Sequence, residues 1–286
     1  MEIKKICVLG AGAMGHGIVQ VCAQAGYDVK MRDIEDKFVQ GGLDRVRKFL
    51  DGSVERKKLT KEEAEATSSR IKGTTDLTEA AQDADLVIEA IIENIEIKKD
   101  TYKELDIICP THTIFASNTS YQSITEMAAA TKRPDKFLGM HWFNPPQIMR
   151  GIEVIRGEKT SRETLNVIMD LCHKLGKEPG VCKDSPGFIA NRLLQPWRNE
   201  SYKLYDEGVA LFEDIDKAFK TAYNFRMGPF ELGDLVGLEV AIVGNETMYR
   251  ELRRDVFKPA WCQIMKVRAG DYGRKTGRGF YEYGEK

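Results

Sequence analysis

A strand pattern that runs without a break into a glycine-rich turn and then a helix constrains this chain more than any other feature. Residues 3–9, IKKICVL, are apolar and β-branched and end at glycine, as a buried strand does. Gly10-Ala11-Gly12-Ala13-Met14-Gly15 follows. From Ala13 the apolar residues recur at helical spacing through Ile18, Val21, Cys22 and Ala25, and Gly26 stops the helix. YDVKMRD, 27–33, then alternates as a second strand. Strand, G-x-G-x-x-G, helix, strand is the context in which that glycine pattern binds a dinucleotide. Gly10 makes the tight turn, Gly12 lets a pyrophosphate approach the backbone, and Gly15 lets helix and strand pack closely. The helix N-terminus, reached through Ala13 and Met14, offers free N–H groups and a partial positive charge. Asp33 closes the second strand, where a carboxylate bonds adenosine ribose hydroxyls and repels a 2′-phosphate. NAD is therefore expected over NADP, although Arg32 beside it is a residue able to accept such a phosphate. His16, in the same turn, is expected to face solvent or the cofactor edge rather than act as a ligand.

The alternation continues. Residues 35–70 are highly charged and rich in helix formers, with Gly52-Ser53 in the middle and Thr60 as an N-cap before Lys61-Glu62-Glu63. They read as two amphipathic helices joined by a turn and inserted between strands. Strand signals resume at 71–74, in the apolar run ADLVIEAI (84–91), and at TIFAS (113–117), KFLGMH (136–141), GIEVIRG (151–157) and EPGVCK, the last an edge strand. Helical patterns lie near 76–81, 95–108, 123–130 and 161–175. Beyond Asp184-Ser185-Pro186-Gly187 helical periodicity dominates. The expected fold class is α/β: a doubly wound, mostly parallel sheet over residues 1–184 with the helical hairpin inserted at 35–70, then an all-α domain over 185–286.

Composition narrows the partners. Basic and acidic residues nearly cancel, 43 against 44, so no basic face points to nucleic acid, and the expected partner is a small molecule. No apolar run approaches the ~20 residues of a membrane helix. MEIKKICVLGAG runs straight into a strand, so no signal peptide is expected. The six cysteines lack C-x-x-C spacing, which points to reduced core thiols in a cytoplasmic protein and against a metal site.

Polar residues gather at the C-terminal ends of the later strands, the ligand crevice of a doubly wound sheet. These are Glu93 and Lys98, then Ser117-Asn118-Thr119-Ser120, then His141 and Asn144. His141 ends a short apolar run, and Glu153 arrives on the next. A carboxylate that fixes one imidazole nitrogen as N–H leaves the other free to take a proton. A base beside a hydride-accepting cofactor describes an alcohol dehydrogenase.

The motifs GAGAMG, VIEAIIEN, ASNTS, GMHWFNP, IEVI, DSPGFIANR, MGPFELGDLVGL and GRKTGRGFY occur in this order. With them the chain resembles the 3-hydroxyacyl-CoA dehydrogenases of the 3-hydroxybutyryl-CoA dehydrogenase type, nearly end to end. The resemblance implies a Rossmann-type first domain and NAD as cofactor. It implies His141 as base, Glu153 as its orienting carboxylate, and Ser120 and Asn191 around the substrate oxygen. It puts Asp33, Glu93, Lys98, Asn118, Asn144 and Lys275 at NAD-contacting positions. It implies that the 35–70 hairpin helps cover coenzyme A, with Lys57 in its basic Arg56-Lys57-Lys58 turn, that the substrate alcohol is S, and that the C-terminal domain forms a homodimer.

The chain departs from the family pattern at Tyr121-Gln122, at Arg150-Gly151-Ile152 and at Gln195-Pro196-Trp197-Arg198. Tyr121 or Trp197 stacking on the acyl group, or Arg150 or Arg198 pairing with its carboxylate, would make that group aromatic, cyclic or carboxylated rather than butyryl. Two other readings stay open: a dehydrogenase of a small free hydroxy acid, and a non-catalytic NAD-binding protein.

Overall fold

The computed structural model describes residues 1–284. The chain divides into two compact units between Ser185 and Pro186. The first unit is built on an eight-stranded sheet, ordered β3-β2-β1-β4-β5-β6-β7-β8. Its strands are β1 (Lys5–Leu9), β2 (Asp28–Arg32), β3 (Ile71–Thr74), β4 (Leu86–Glu89), β5 (Ile114–Ser117), β6 (Phe137–Trp142), β7 (Gly151–Arg156) and β8 (Glu178–Lys183). The helices between them are α1 (Gly15–Gln24), α2 (Asp36–Glu55), α3 (Lys61–Ser69), α4 (Leu77–Ala81), α5 (Ile95–Ile108), α6 (Ile124–Ala129) and α7 (Arg162–Lys174). Pairing is parallel from β3 through to β6, antiparallel between β6 and β7, and parallel again between β7 and the edge strand β8. The strand order reverses at β1, which lies between β2 and β4, so the crevice opens at their C-terminal ends.

Both faces of the sheet are covered, which is why β4, β5 and β6 are buried along their whole length. Ile6, Val8, Leu86, Ile88, Ala116, Leu138, Met140 and Val154 share one face and pack with Ile18 and Cys22 of α1 and Ile168 and Cys172 of α7. On the other face Tyr102 of α5 sits edge-on to Phe137, with ring centroids 4.5 Å apart. Burial pushes the Cys22 and Cys172 thiols up to about 12, so both act as apolar core residues.

The charged insertion forms the helix pair expected of it. Its apolar stripe, Val46, Leu50 and Ala64, makes a small core of its own. Helix α2 runs on through Gly52-Ser53, where the Ser53 hydroxyl donates to the Phe49 carbonyl at 2.8 Å. The chain turns over residues 56–60 instead. Thr60 then caps α3 through a reciprocal capping box with Glu63.

The second unit contains α8 (Ala190–Asp206), α9 (Phe212–Ala222), α10 (Pro229–Val236), α11 (Leu238–Leu252) and α12 (Trp261–Arg268). Tyr202, Phe230 and Phe280 form its aromatic centre. Two buried aspartates tie its loops down. Asp216 accepts from the Phe230 and Glu231 N–H groups at the start of α10, and Asp234 accepts from those of Phe280 and Tyr281. Burial pushes both carboxyls up despite these bonds. The MGPFELGDLVGL and GRGFY motifs are thus partners of one another within this unit.

The glycine turn is shaped by contact. Gly10 has φ +95° and lies so close to the Ala90 carbonyl that a Cβ would sit 2.4 Å from its oxygen. A Cβ on Gly15 would fall 1.7 Å from the Gly10 oxygen, whereas one on Gly12 would point into open space. Gly15→Ala is therefore expected to destabilise the protein by roughly 1–3 kcal/mol or more. Gly12→Ala should leave stability unchanged and weaken dinucleotide binding. Chemical denaturation paired with NADH titration separates the two outcomes.

Candidate active site

The crevice side of the glycine turn is organised by Asp33. One of its carboxylate oxygens accepts from the Ala11 N–H at 2.7 Å and the other from the Ile34 N–H at 2.7 Å. These bonds fix the carboxylate at the end of β2. The Nε of Arg32, the residue that weighed against NAD, donates to the Thr75 carbonyl at 3.1 Å. With an unobstructed approach to Gly12 and a helix N-terminus behind it, the residues present fit NAD. His16 donates from Nδ1 to the Gly12 carbonyl at 2.7 Å, and burial pulls its pKa down. It therefore braces the turn as a neutral ring.

Antiparallel pairing of β6 with β7 sets His141 directly opposite Glu153. The two side chains share a sheet face and meet at 2.6 Å between Nδ1 and Oε2. A carboxylate oxygen can only accept, so Nδ1 carries the proton and Nε2 presents its lone pair. Ser120 Oγ lies 3.1 Å from Nε2 and donates to it. The His141 ring also contacts Phe143, with centroids 4.8 Å apart. The outcome is an oriented base with a hydroxyl at its reactive nitrogen.

Behind Ser120 lies a charged network that the sequence reading did not identify. Glu89, at the end of β4, is fully buried. It accepts from the Lys98 ammonium at 2.6 Å, the Ser117 hydroxyl at 2.6 Å and the Ile91 N–H at 2.8 Å. Lys98 also pairs with Glu93 at 3.0 Å. Glu93 in turn accepts from the Thr119 hydroxyl and from the Ser120 N–H. Burial alone would raise the Glu93 carboxyl, but Lys98, Thr119 and the Ser120 amide outweigh it and hold it below the ordinary value. One carboxylate in an otherwise apolar strand thus anchors the ends of both β4 and β5. Asn118 holds the next strand, its side-chain oxygen accepting from the Trp142 N–H at 2.9 Å.

Asp33, Glu93, Asn118, Ser120 and His141 sit at or just beyond the C-terminal ends of their strands, Glu153 lies opposite His141 near the start of the reversed β7, and the hydrogen bonds above link Glu93, Ser120, His141 and Glu153 into one chain. Asn144 is exposed, just past β6. Tyr121 adjoins Ser120, its N–H donating to Thr119 at 3.3 Å. Lys98, expected at the cofactor, is only 1% exposed and spends its ammonium on Glu89 and Glu93. Arg150 forms an exposed ion pair with Glu178. Lys57 is exposed in the turn after α2. The remaining candidates lie in the second unit. Asn191 is in the first turn of α8, and Lys275 pairs with Glu239. Trp197 packs against Phe219 and Phe225, and Arg198 is 2% exposed and bonded to Gln195 at 2.6 Å. For Lys98 and Arg198, burial is what a linear sequence hides.

Residues 5–185 match the model of the 3-hydroxyacyl-CoA dehydrogenase NAD binding domain, and residues 187–283 match that of the 3-hydroxyacyl-CoA dehydrogenase C-terminal domain. The chain is 45% identical to a probable 3-hydroxybutyryl-CoA dehydrogenase of Bacillus subtilis, over 100% of this chain and 99% of that one. It is 41% identical to the human mitochondrial hydroxyacyl-coenzyme A dehydrogenase, over 98% of this chain and 91% of that one. The crystal structure of (S)-3-hydroxybutyryl-CoA dehydrogenase from Ralstonia eutropha superimposes with a TM-score of 0.96 at 42% identity, covering 99% of this chain and 100% of that one. These matches, over both units, show that the chain belongs to the 3-hydroxyacyl-CoA dehydrogenase family and takes NAD as its cofactor.

Proposed function

We propose that the protein oxidises an (S)-3-hydroxyacyl-CoA to the 3-oxoacyl-CoA, reversibly, with His141 as the proton acceptor. The observation that carries this reading is the 2.6 Å contact of Nδ1 with Glu153, which makes Nε2 the accepting nitrogen, beside Ser120. Relatives named 3-hydroxybutyryl-CoA dehydrogenases support a CoA ester over a free hydroxy acid. NAD, when bound, supplies the hydride-accepting chemistry. The residues of the chain do the rest. Ser120 bonds the C3 oxygen and aims it at Nε2. The hydroxyl proton moves to Nε2 as hydride leaves C3, and Glu153 stabilises the imidazolium that forms. In reduction the imidazolium returns the proton. For Asn191 as a second partner of that oxygen, and for Asn144 and Lys275 as cofactor contacts, the support is the family likeness. The exposed Arg56-Lys57-Lys58 turn supports a role for the hairpin in meeting CoA phosphates.

The acyl group is proposed to be aromatic or cyclic. Tyr121, where the family often has serine, adjoins Ser120 and supports stacking at this end of the site. The carboxylated alternative has less support, because Arg150 is paired with Glu178 and Arg198 with Gln195. We further propose a reducing, cytoplasmic setting, which the six unpaired cysteines support. A homodimer through the second unit is supported by its exposed Leu235, Val236, Val240, Val243, Trp261 and Met265. Light scattering checks the last point: twice the chain mass is expected, and a monomer at micromolar concentration excludes it.

The activity is tested by NADH formation with a panel of (S)-3-hydroxyacyl-CoA esters that includes butyryl, phenyl-substituted and dicarboxylic members. Turnover is expected, best with the phenyl-substituted ester. A clear preference for butyryl would sink the acyl proposal alone. His141→Gln and Glu153→Gln should each lower kcat by roughly 10²–10⁴ while NADH still binds. Unchanged turnover in His141→Gln would sink the mechanism.

A further inference from the structure

Lys177 is a buried lysine that the chemistry above does not use. It stands between α7 and β8 and is 6% exposed. No carboxylate pairs with it among the described residues. Its ammonium donates to two main-chain carbonyls, Pro146 at 2.6 Å and Met149 at 2.7 Å, and lies 5.3 Å from the centre of the Trp142 ring. Burial pushes its pKa below the ordinary lysine value. A buried charge is costly to keep, so a lysine held on carbonyls alone points to a task that an apolar side chain could not do.

The two carbonyls locate the task. Both belong to residues 143–150, the connection that leaves β6 two residues after His141 and enters β7 two residues before Glu153. The same segment lies against the dinucleotide helix. A Cβ on Gly17 of α1 would sit 2.7 Å from the Gln147 side-chain oxygen and 2.9 Å from the Pro146 ring, and the Gln147 amide nitrogen donates to buried Gln20 at 3.3 Å. One face of the connection therefore rests on the helix behind the glycine turn. The lysine holds it from the α7–β8 corner. The corner is itself fixed: Gly176 has φ +69°, and the Lys177 N–H donates to the Cys172 carbonyl at 2.9 Å.

We propose that Lys177 is a positioning residue that clamps residues 143–150 against α1 and so sets the distance between the proton-accepting histidine and the dinucleotide. It touches neither substrate nor cofactor. This rests on the function proposed above, and the test keeps the two apart, because that function is read on the unaltered protein and the clamp on the variant relative to it.

Lys177→Met keeps much of the side-chain volume and removes the donors. Three readouts are compared with the parent. In the protein without cofactor, backbone hydrogen exchange over 143–150 should rise at least about tenfold, with exchange in β1 and β4 unchanged. kcat should fall about 10- to 100-fold, as expected of a reacting geometry loosened by about an ångström, with NADH affinity within about threefold. The deuterium isotope effect from (S)-3-hydroxyacyl-CoA labelled at C3 should increase, because hydride transfer becomes the slow step. Adding n-propylammonium to Lys177→Ala should restore part of kcat. A variant of lower melting temperature with parental kcat, isotope effect and exchange over 143–150 would overturn the proposal and leave Lys177 a stabilising residue only. If Lys177→Met does not fold, Lys177→Gln, which keeps one donor, is read by the same criteria with the same two outcomes.

Discussion

The antiparallel pairing of β6 with β7 is the constraint on which the site depends. All strands up to β6 run parallel, and a sheet that continued so would carry residue 153 far from residue 141. Reversing β7 puts the two directly opposite, on one face, at the separation where cross-strand side chains meet. The short contact between Nδ1 and Oε2 then fixes both the ring orientation and the tautomer. A base built this way stands on two neighbouring strands of a buried sheet rather than on a mobile loop, so its reactive nitrogen is placed before substrate arrives.

The second support is electrostatic. Glu89 and Lys98 form a buried ion pair, and Lys98 carries it outward to the solvent-accessible Glu93, with hydroxyls and amides satisfying the remaining lone pairs. Its output is the geometry of the turn after β5, which carries Ser117 to Ser120. The hydroxyl that meets His141 is therefore positioned from within the core by a carboxylate on the neighbouring strand. The family motifs VIEAIIEN and ASNTS read in this light as the two halves of one network.

Much of this was legible in the sequence. The first strand, the glycine turn and Asp33 follow from patterning and from the chemistry of a helix N-terminus, and the hairpin was legible down to Thr60 as a cap. His141 with Glu153 was visible as a pair because each ends or opens an apolar run. What was not legible shares one cause. Glu89 lies inside a run of apolar residues and reads as part of a strand, Lys98 was expected at the cofactor, and Lys177 reads as a charge at a helix end. Only the packing of the sheet reveals that all three are buried. Arg150 is instead exposed. Arg150 or Arg198 was open as a partner for an acyl carboxylate, and the parallel β7–β8 register brings Glu178 beside Arg150, a long-range pairing that spacing along the chain does not disclose.

The proposed proton transfer requires His141 Nε2 and Ser120 Oγ to converge on a single substrate oxygen. A crystal structure of the protein with NAD and a 3-oxoacyl-CoA bound measures this directly. The C3 oxygen is predicted within hydrogen-bonding distance of both atoms, with Nδ1 still on Glu153 and C3 facing the nicotinamide. A C3 oxygen bound elsewhere in the crevice, with His141 contacting only protein, would contradict it.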